Sequence, residues 1–555
     1  MRLKHIKACA YAMFISATLT LASSCTDLDE TIYSEISSDN YTFTDADIQS
    51  MFSAVYGSLR GVYWGWNGLF DISEESGDCM MTPLRIGIGW GDLYIPMHKH
   101  QFHSHIDHYY TIWYNAYQGI NSCNQLLDRD IVQESETASA ELRAYRALFY
   151  YILFDNFRNV PLETTYKQED GYLPEQADPQ KTYDFIISEL NEVKEKLNKK
   201  AKYGQFNQYA VCMTLAKMYL NHNAWFNTDD NTYYQKAYME VNEVISAHKY
   251  TLSSNYTDPF QEDGSSCAEI IFAIPFDYTY ATGNYLANKC LHGASASTFG
   301  LSGAPWNGSC AIPQFIDTYD SDDSRLSDTW LIGNQYDQNG GLIKVDNEAL
   351  NYTKSVHSID NPGAYSMEGA RFHKYQIVAG KHGTSADDVP FYRLTDAYMI
   401  KAECLLRLGG YNGESKEDAA KIVTMIRTRA FKNNPQKAIR TVSELEGGSS
   451  YAYGHRENIA KKGETDNIVQ TNEGGSDIQL GGLLDDLAWE FVGEHHRRQD
   501  LIRFRLTSKN MNVYNGKSWF CKDAETNPSD IHRNIYPIYQ DFLDANLKLK
   551  QNTGY

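Results

Sequence analysis

Past residue 24 the sequence lacks any run of about eighteen apolar residues, so no later segment has the length that a membrane-spanning helix needs. It is short of positive charge: 50 Lys and Arg stand against 71 Asp and Glu, a formal net charge of -21. That balance argues against nucleic acid or an anionic membrane surface as ligand and mainly keeps an exposed protein soluble. The ten cysteines include no C-x-x-C and no zinc spacing, and those at 79, 123, 212, 267, 290, 310, 404 and 521 allow no disulfide assignment. G-x-S-x-G, Walker A and H-E-x-x-H are absent. Gly87-x-Gly-x-Gly91 follows nothing strand-like, so no nucleotide or other cofactor is expected.

What is present begins with an address. Arg2, Lys4 and Lys7 precede a mostly apolar run over 8–21, closed by Ala22-Ser23-Ser24-Cys25. Residues 1–24 read as a lipoprotein signal, which makes Cys25 the acylated N-terminus of a 531-residue body. More than one acyl chain gives stable anchoring where a single chain gives only reversible contact. The box before Cys25 is loose, its leucine displaced one place upstream, which leaves ordinary signal-peptidase cleavage as the alternative. Loss of the signal takes the charge from -21 to -24.

Apolar periodicity predicts helices over 45–59, 109–127, 138–157, 182–197, 208–221 and 233–246, and again over 394–408, 416–430 and 483–504. Tyr145, Leu148, Phe149, Ile152 and Leu153 fall on one stripe of the 138–157 helix, and Glu494 and Arg498 are spaced for an i,i+4 pair. Paired short helices of this kind resemble tetratricopeptide stacking, without a strict period. Residues 250–390 are rich in Gly, Ser, Asn and Tyr and read as loops with short strands and small helices. The tail is apolar enough to dock.

The stretch 61–94 sets Trp64, Trp66 and Trp90 among seven glycines with no amphipathic period. Rings on a loop beside Asp71, Asp92 and Asn67 suit a sugar, whose C–H faces stack and whose hydroxyls need hydrogen-bond partners. Tryptophans plugging a core under a long loop explain the same residues. The run His98-Lys-His-Gln-Phe-His-Ser-His-Ile-Asp-His108, read as an extended strand, would put pairs of imidazoles on common faces, but it offers no closed ligand set and no metal is assigned. Residues 317–328 are acidic without the glycine and closing glutamate of a calcium loop, which favours a helix cap or an ion pair to Arg325. A glycoside hydrolase would need two carboxyls flanking a cleft, with Asp71, Glu74, Glu75 and Asp78 as candidates.

Six blocks carry a resemblance: Cys25-Thr-Asp-Leu-Asp-Glu, A-x-x-R-A-x-R-A-x-x-Y-Y over Ala140–Tyr151 with N-V-P-L after it, R-L-T-D-A-Y-M-I-K-A-E from Arg393, I-R-T-R-A from Ile426, W-E-F-V-G-E-H-H-R-R-Q-D-L-I-R-F from Trp489, and Y-P-I with N-L-K-L-K-Q-N-T-G-Y at the end. In this order they resemble the SusD/RagB family of outer-membrane lipoproteins. The resemblance implies a mostly α fold, tetratricopeptide-like helix pairs in an α–α superhelix that supports a large loop-rich face with short strands. It implies one body over 25–555, with an N-terminal helical half (25–249), a loop-rich ligand-face insert (250–390) and a C-terminal helical part (391–555). It further implies a non-catalytic glycan binder anchored at the outer membrane through Cys25, facing outward, that acts as lid on a SusC-like TonB-dependent transporter; some relatives capture peptides instead. The acidic residues after Cys25 fit the family's surface-export signal.

With that resemblance the ligand residues are expected to be Trp90 first, with Asp71 and Asp92 accepting from hydroxyls and Arg85 donating, and Trp66 beside them. Trp306 and Asn307, in Ser302-Gly-Ala-Pro-Trp-Asn-Gly-Ser, are similar in position to a ligand-contacting loop of the family and form the expected second platform. Arg371, Tyr375 and Tyr398 fit the rim and fit equally as ion-pair and core residues.

Overall fold

The computed structural model describes residues 45–555 apart from 64–65, 86–89, 200–201, 361–366, 382–384, 461–462, 508–510 and 523–530. The signal, Cys25 and the acidic tether lie outside the described residues. Residues 48–555 form one compact unit, and no described helix is long and apolar enough to cross a membrane.

The scaffold starts with α1 (Ser53–Tyr63), passes through the short α2 (Leu69–Glu74) and α3 (Gly91–His98), and continues in α4 (Asp107–Leu127), α5 (Glu136–Phe157) and α6 (Pro179–Val193). α1 packs on α4, α4 on α5 and α5 on α6. Side-chain caps define the starts: Asp178 accepts from Gln180 N with Pro179 in the first turn, and Ser135 accepts from Ala138 N. The stripe Tyr145, Leu148, Phe149, Ile152 and Leu153 is buried, but so is Arg146, which bonds Asn124 at 2.7 Å and Glu189 at 2.6 Å. A helix with neighbours on both sides buries its polar flank as well as its apolar stripe.

A second series follows in α7 (Gln208–Phe226), whose start is capped by Asn207, and α8 (Asn231–Ser246). Next comes the loop-rich stretch, which holds β1 (Ile270–Ile274), the short helix α9 (Leu286–Cys290) and several two-residue strands, and closes with β2 (Val389–Arg393). β1 and β2 pair antiparallel, Val389 opposite Ile274, so the insert is tied off at its base. α10 (Leu394–Leu408) then packs on α8, and α11 (Lys416–Thr428) on α10.

The single helix expected over 483–504 is two, α12 (Gly481–Phe491) and α13 (Arg497–Arg503). Between them Gly493 has φ 80° and His495 φ 56°, left-handed values that end a right-handed helix. The break turns Glu490 and Glu494 inward. Arg393 bonds Glu490 at 2.9 Å, Glu494 at 2.7 Å and Glu269 at 2.9 Å; Arg429 reaches Glu269 at 2.7 Å; Lys374 meets Glu494 at 2.5 Å. The spaced pair Glu494–Arg498 is therefore not formed, and Arg498 instead bonds Asp155 of α5 at 3.1 Å. The helix expected over 45–59 is likewise split, into Asp45–Met51 and α1. The tail docks as expected: Tyr536 and Ile538 are buried, and Asn552 donates to the Phe157 and Tyr536 carbonyls at 2.9 and 2.8 Å. The eight described cysteines are free thiols.

Candidate functional site

Four half-buried rings converge from separate parts of the chain: Trp66 in the turn before α2, Trp90 at the start of α3, Tyr285 before α9, and Trp306 in the loop 301–309. Trp66 stands edge-on to both other indoles, 6.3 Å and 71° from Trp90 and 6.2 Å and 79° from Trp306. Tyr285 lies against Trp306 at 5.3 Å and 33°. Trp90 Nε1 donates to the Trp306 carbonyl at 3.2 Å, so the polar edge of that indole is satisfied within the protein.

The loop carrying Trp306 is laced to α9: Trp306 N donates to Asn288 O, Asn307 N to Leu291 O and Gly308 N to Lys289 O, at 2.6 to 2.7 Å. A Cβ on Gly308 would stand 2.7 Å from the Lys289 carbonyl, so only glycine permits this approach. Lys289 then runs beneath the rings, fully buried. Its ammonium bonds Asp71 and, at 2.8 Å, Glu75, and lies 4.5 Å from the centre of the Tyr94 ring. Asp71 also accepts from His108 Nε2 at 2.9 Å, and the Tyr94 hydroxyl lies 2.6 Å from both Asp71 Oδ2 and the Trp66 carbonyl. Burial opposes both charges, yet the carboxylates hold Lys289 above the usual lysine value, and Lys289 with His108 holds Asp71 below the usual carboxylate value.

These contacts correct most of the expected polar residues. Asp71 is not a rim acceptor; α2 turns it inward, where it is fully buried. Arg85 and Arg371 are buried and both donate to the Gly308 carbonyl at 3.3 Å, which braces the Trp306 loop from below. Burial and the neighbouring Arg371 push Arg85 down to about 9. Asn307 is 3% exposed and has φ 56°, so its side chain does not face solvent. Asp92 lies in α3, not in a loop, and its side chain is outside the described residues, as are Trp64, Gly87 and Gly89. Tyr375 is buried, donating to Gly493 O at 3.3 Å; Tyr398 rests half-buried on the core from α10, with no ring contact to the cluster among the described residues.

The carboxyls considered for hydrolysis do not flank a cleft: Asp71, Glu74, Glu75 and Asp78 are fully buried, Asp78 against Arg497 at 2.5 Å. Nor is the histidine run a strand. His98 ends α3, His100 sits in the following turn and His108 enters α4; burial pushes His98 down to about 3 and holds His100 well below the usual value. Among the described residues one metal-like group exists, Cys212, Glu240 and Glu243, and Lys194 already bonds both glutamates at 3.0 and 2.7 Å. Asp323 caps the helix Ser324–Thr329 and bonds Arg325 at 2.7 Å, as the acidic stretch suggested.

Two residues escaped the sequence reading. Tyr285 follows Gly283-Asn284, the same turn-rich setting as Trp306, but one tyrosine among 41 draws no notice. Lys289 had no local signal, because its role depends on carboxylates more than two hundred positions away.

Comparison with known proteins places the fold. The sequence pattern of the SusD family matches residues 221–555, and one described as starch-binding, associating with outer membrane, matches 30–220. The chain is 24% identical over 464 residues to the starch-binding protein SusD of Bacteroides thetaiotaomicron, covering 75% of this chain and 72% of that one. Among solved structures, a SusD superfamily protein from Parabacteroides distasonis aligns with TM-score 0.66 at 19% identity, covering 93% of this chain and all of that one. Surface glycan-binding protein A from Bacteroides thetaiotaomicron, in complex with laminarihexaose, aligns with TM-score 0.64 at 20% identity, covering 92% of this chain and all of that one. With a match over more than half its length and the same mostly α architecture, this chain belongs to the SusD family.

Proposed function

We propose that this protein is a non-catalytic glycan-binding lipoprotein of the outer membrane. It is held on the cell exterior by acylated Cys25, captures poly- or oligosaccharide on Trp66, Trp90, Tyr285 and Trp306, and passes it to a SusC-like TonB-dependent transporter on which it sits as a lid. The observation that carries the reading is the convergence of four half-exposed rings on a buried, ion-paired base. Each ring offers an apolar face to sugar C–H groups. The named relatives support the ligand class: one is described as starch-binding and another was solved with laminarihexaose. The description of the pattern matched at 30–220 supports the location.

The ring angles narrow the ligand. With Trp66 at 71° to Trp90 and 79° to Trp306, a flat, ribbon-like glycan cannot stack on Trp66 and on either neighbouring indole together, whereas one that turns between residues can. Native affinity gels cast with curved α-1,4 or β-1,3 glucans and with flat β-1,4 glucans test this. Retardation by the curved polymers alone is the expected outcome, and retardation by none of a broad panel would remove the glycan reading. Release of new reducing ends would overturn the non-catalytic part.

A further inference from the structure

Tyr285 enters the ring cluster at the end of a loop that carries two further tyrosines, Tyr278 and Tyr280, in Phe276-Asp-Tyr-Thr-Tyr-Ala281. The loop is pinned at both ends. Phe276 is buried and its N donates to Asp388 Oδ1 at 2.9 Å. At the far end Asn284 Nδ2 donates to the Asp387 carbonyl at 2.9 Å, and the Asn284 carbonyl accepts from Ser385 N at 2.7 Å. Between these points the backbone folds on Asp277, whose Oδ1 accepts from Thr279 N and Tyr280 N, each at 2.6 Å, and whose N donates to the Ala281 carbonyl at 2.8 Å. A carboxylate that bonds the backbone two and three residues on fixes a turn without help from the rings the turn displays.

Tyr278 turns back onto the body. Its hydroxyl donates to Glu262, and the Lys381 ammonium lies 4.0 Å from its ring centre. The Lys381 carbonyl in turn accepts from Ser302 N at 3.3 Å, in the loop that carries Trp306. The turn at 277–281 is thus connected to the cluster twice, along the chain through Tyr285 and across it through Lys381. Tyr280 does the opposite of Tyr278. It is 92% exposed, more than any other ring among the described residues, and among them its ring and hydroxyl have no partner. A single exposed ring is ordinary on a protein surface. This one stands on a fixed turn five residues from Tyr285, and five residues span at most about 18 Å. Both of its faces are open to a ligand, and the fixed backbone limits the ordering that binding requires.

We propose that Tyr280 is an outlying stacking subsite for the glycan held on the ring cluster, engaged only by chains long enough to extend past Tyr285; this rests on the glycan reading of that cluster. Tyr280 has no ring contact to the cluster among the described residues, so a short oligosaccharide seated on the four rings leaves it untouched. Sugar units bound at the cluster hold the rest of a longer chain near Tyr280, and a weak second contact then adds to affinity without a separate association step.

Isothermal titration of the purified protein with maltotriose, maltoheptaose, laminaritriose and laminarihexaose tests the subsite. In the series that binds, the longer chain is expected to bind more tightly than its trisaccharide. Tyr280→Ala is expected to weaken the longer chain about fivefold, the scale of one aromatic contact, and to leave the trisaccharide unchanged. Tyr280→Phe, which keeps the ring, is expected to match wild type. The double variant Trp90→Ala/Trp306→Ala is expected to weaken both lengths, which separates the subsite from the cluster. Wild-type binding that is equal at both lengths, unchanged long-chain affinity in Tyr280→Ala, an equal loss at both lengths, or a phenylalanine variant no better than the alanine one would each overturn the subsite while the cluster stands. Wild type that binds neither series, or a tryptophan double variant that binds both lengths as wild type does, would overturn the curved-glucan reading of the cluster and the subsite with it.

Discussion

Trp90 Nε1 donates to the backbone carbonyl of Trp306 at 3.2 Å, a bond between residues 216 positions apart that joins the two halves of the ring cluster. Because the polar edge of Trp90 is used inside the protein, only its apolar surface is left for the proposed glycan. Trp90→Ala and Trp306→Ala are each expected to weaken polysaccharide retention in an affinity gel about tenfold, the scale of one lost aromatic contact with its buried area. Both rings are half-buried, so melting temperature should fall by only about 2–4 °C. Trp90→Phe, which keeps a ring and loses the donor, should fall between. Unchanged retention in both alanine variants would remove these residues from the site, and a much larger stability loss would make them core.

Lys289 is the cation beneath the cluster, and its removal strands two buried carboxylates, Asp71 and Glu75. Breaking a buried pair from one side costs about 3–5 kcal/mol. Lys289→Met is expected to lose that much stability in urea denaturation and to weaken glycan retention, because the stranded carboxylates displace α9, from whose backbone carbonyl at 289 the Trp306 loop hangs. Adding Asp71→Asn should recover part of the stability; a double variant no better than the single would contradict the charge argument.

Glu74 supplies a pH test. It is fully buried, its Oε1 accepts from His495 N at 2.9 Å, and burial pushes its pKa up from the usual 4.5 to about 8. A folded value above the unfolded one means the folded state binds the proton more tightly, so this stability is complete below about pH 4.5 and is lost as pH rises through 8. Glu74→Gln mimics the protonated form. Its stability relative to wild type should therefore rise between pH 5 and pH 9, read from urea midpoints, and a difference that stays flat with pH would count against the assignment.

Gly493 divides α12 from α13 with φ 80°, and a Cβ there would stand 2.2 Å from Phe372 Cζ. Gly493→Ala is expected to destabilise by about 2–4 kcal/mol through combined backbone strain and overpacking. The loss should appear as a lower denaturation midpoint with an unchanged slope. A variant within 0.5 kcal/mol of wild type, roughly the range of a surface substitution, would show that the helix break is not held by this close approach.

The helices were legible because their signals are local. Tyr145, Leu148, Phe149, Ile152 and Leu153 repeat at the helical period, and all are buried. The break at 492–496 was less legible, since residues with helical spacing continue across it and only Gly493 marks the point where glutamates turn inward to Arg393 and Lys374. The tryptophans were also readable, because bulky rings in glycine-rich sequence have little local cover.

By itself the sequence determined the helical scaffold, the family blocks and the aromatic candidates Trp66, Trp90 and Trp306, all of them features of spacing or composition. The tertiary structure alone decided which polar neighbours reach solvent. Asp71, Arg85, Asn307 and Arg371 carry the right chemistry for sugar hydroxyls, yet each is buried as support for the rings. The reason is physical: whether a carboxylate faces water or an ammonium depends on what packs against it, and the ammonium that claims Asp71 comes from Lys289, 218 residues along the chain. No local pattern around either residue records that meeting.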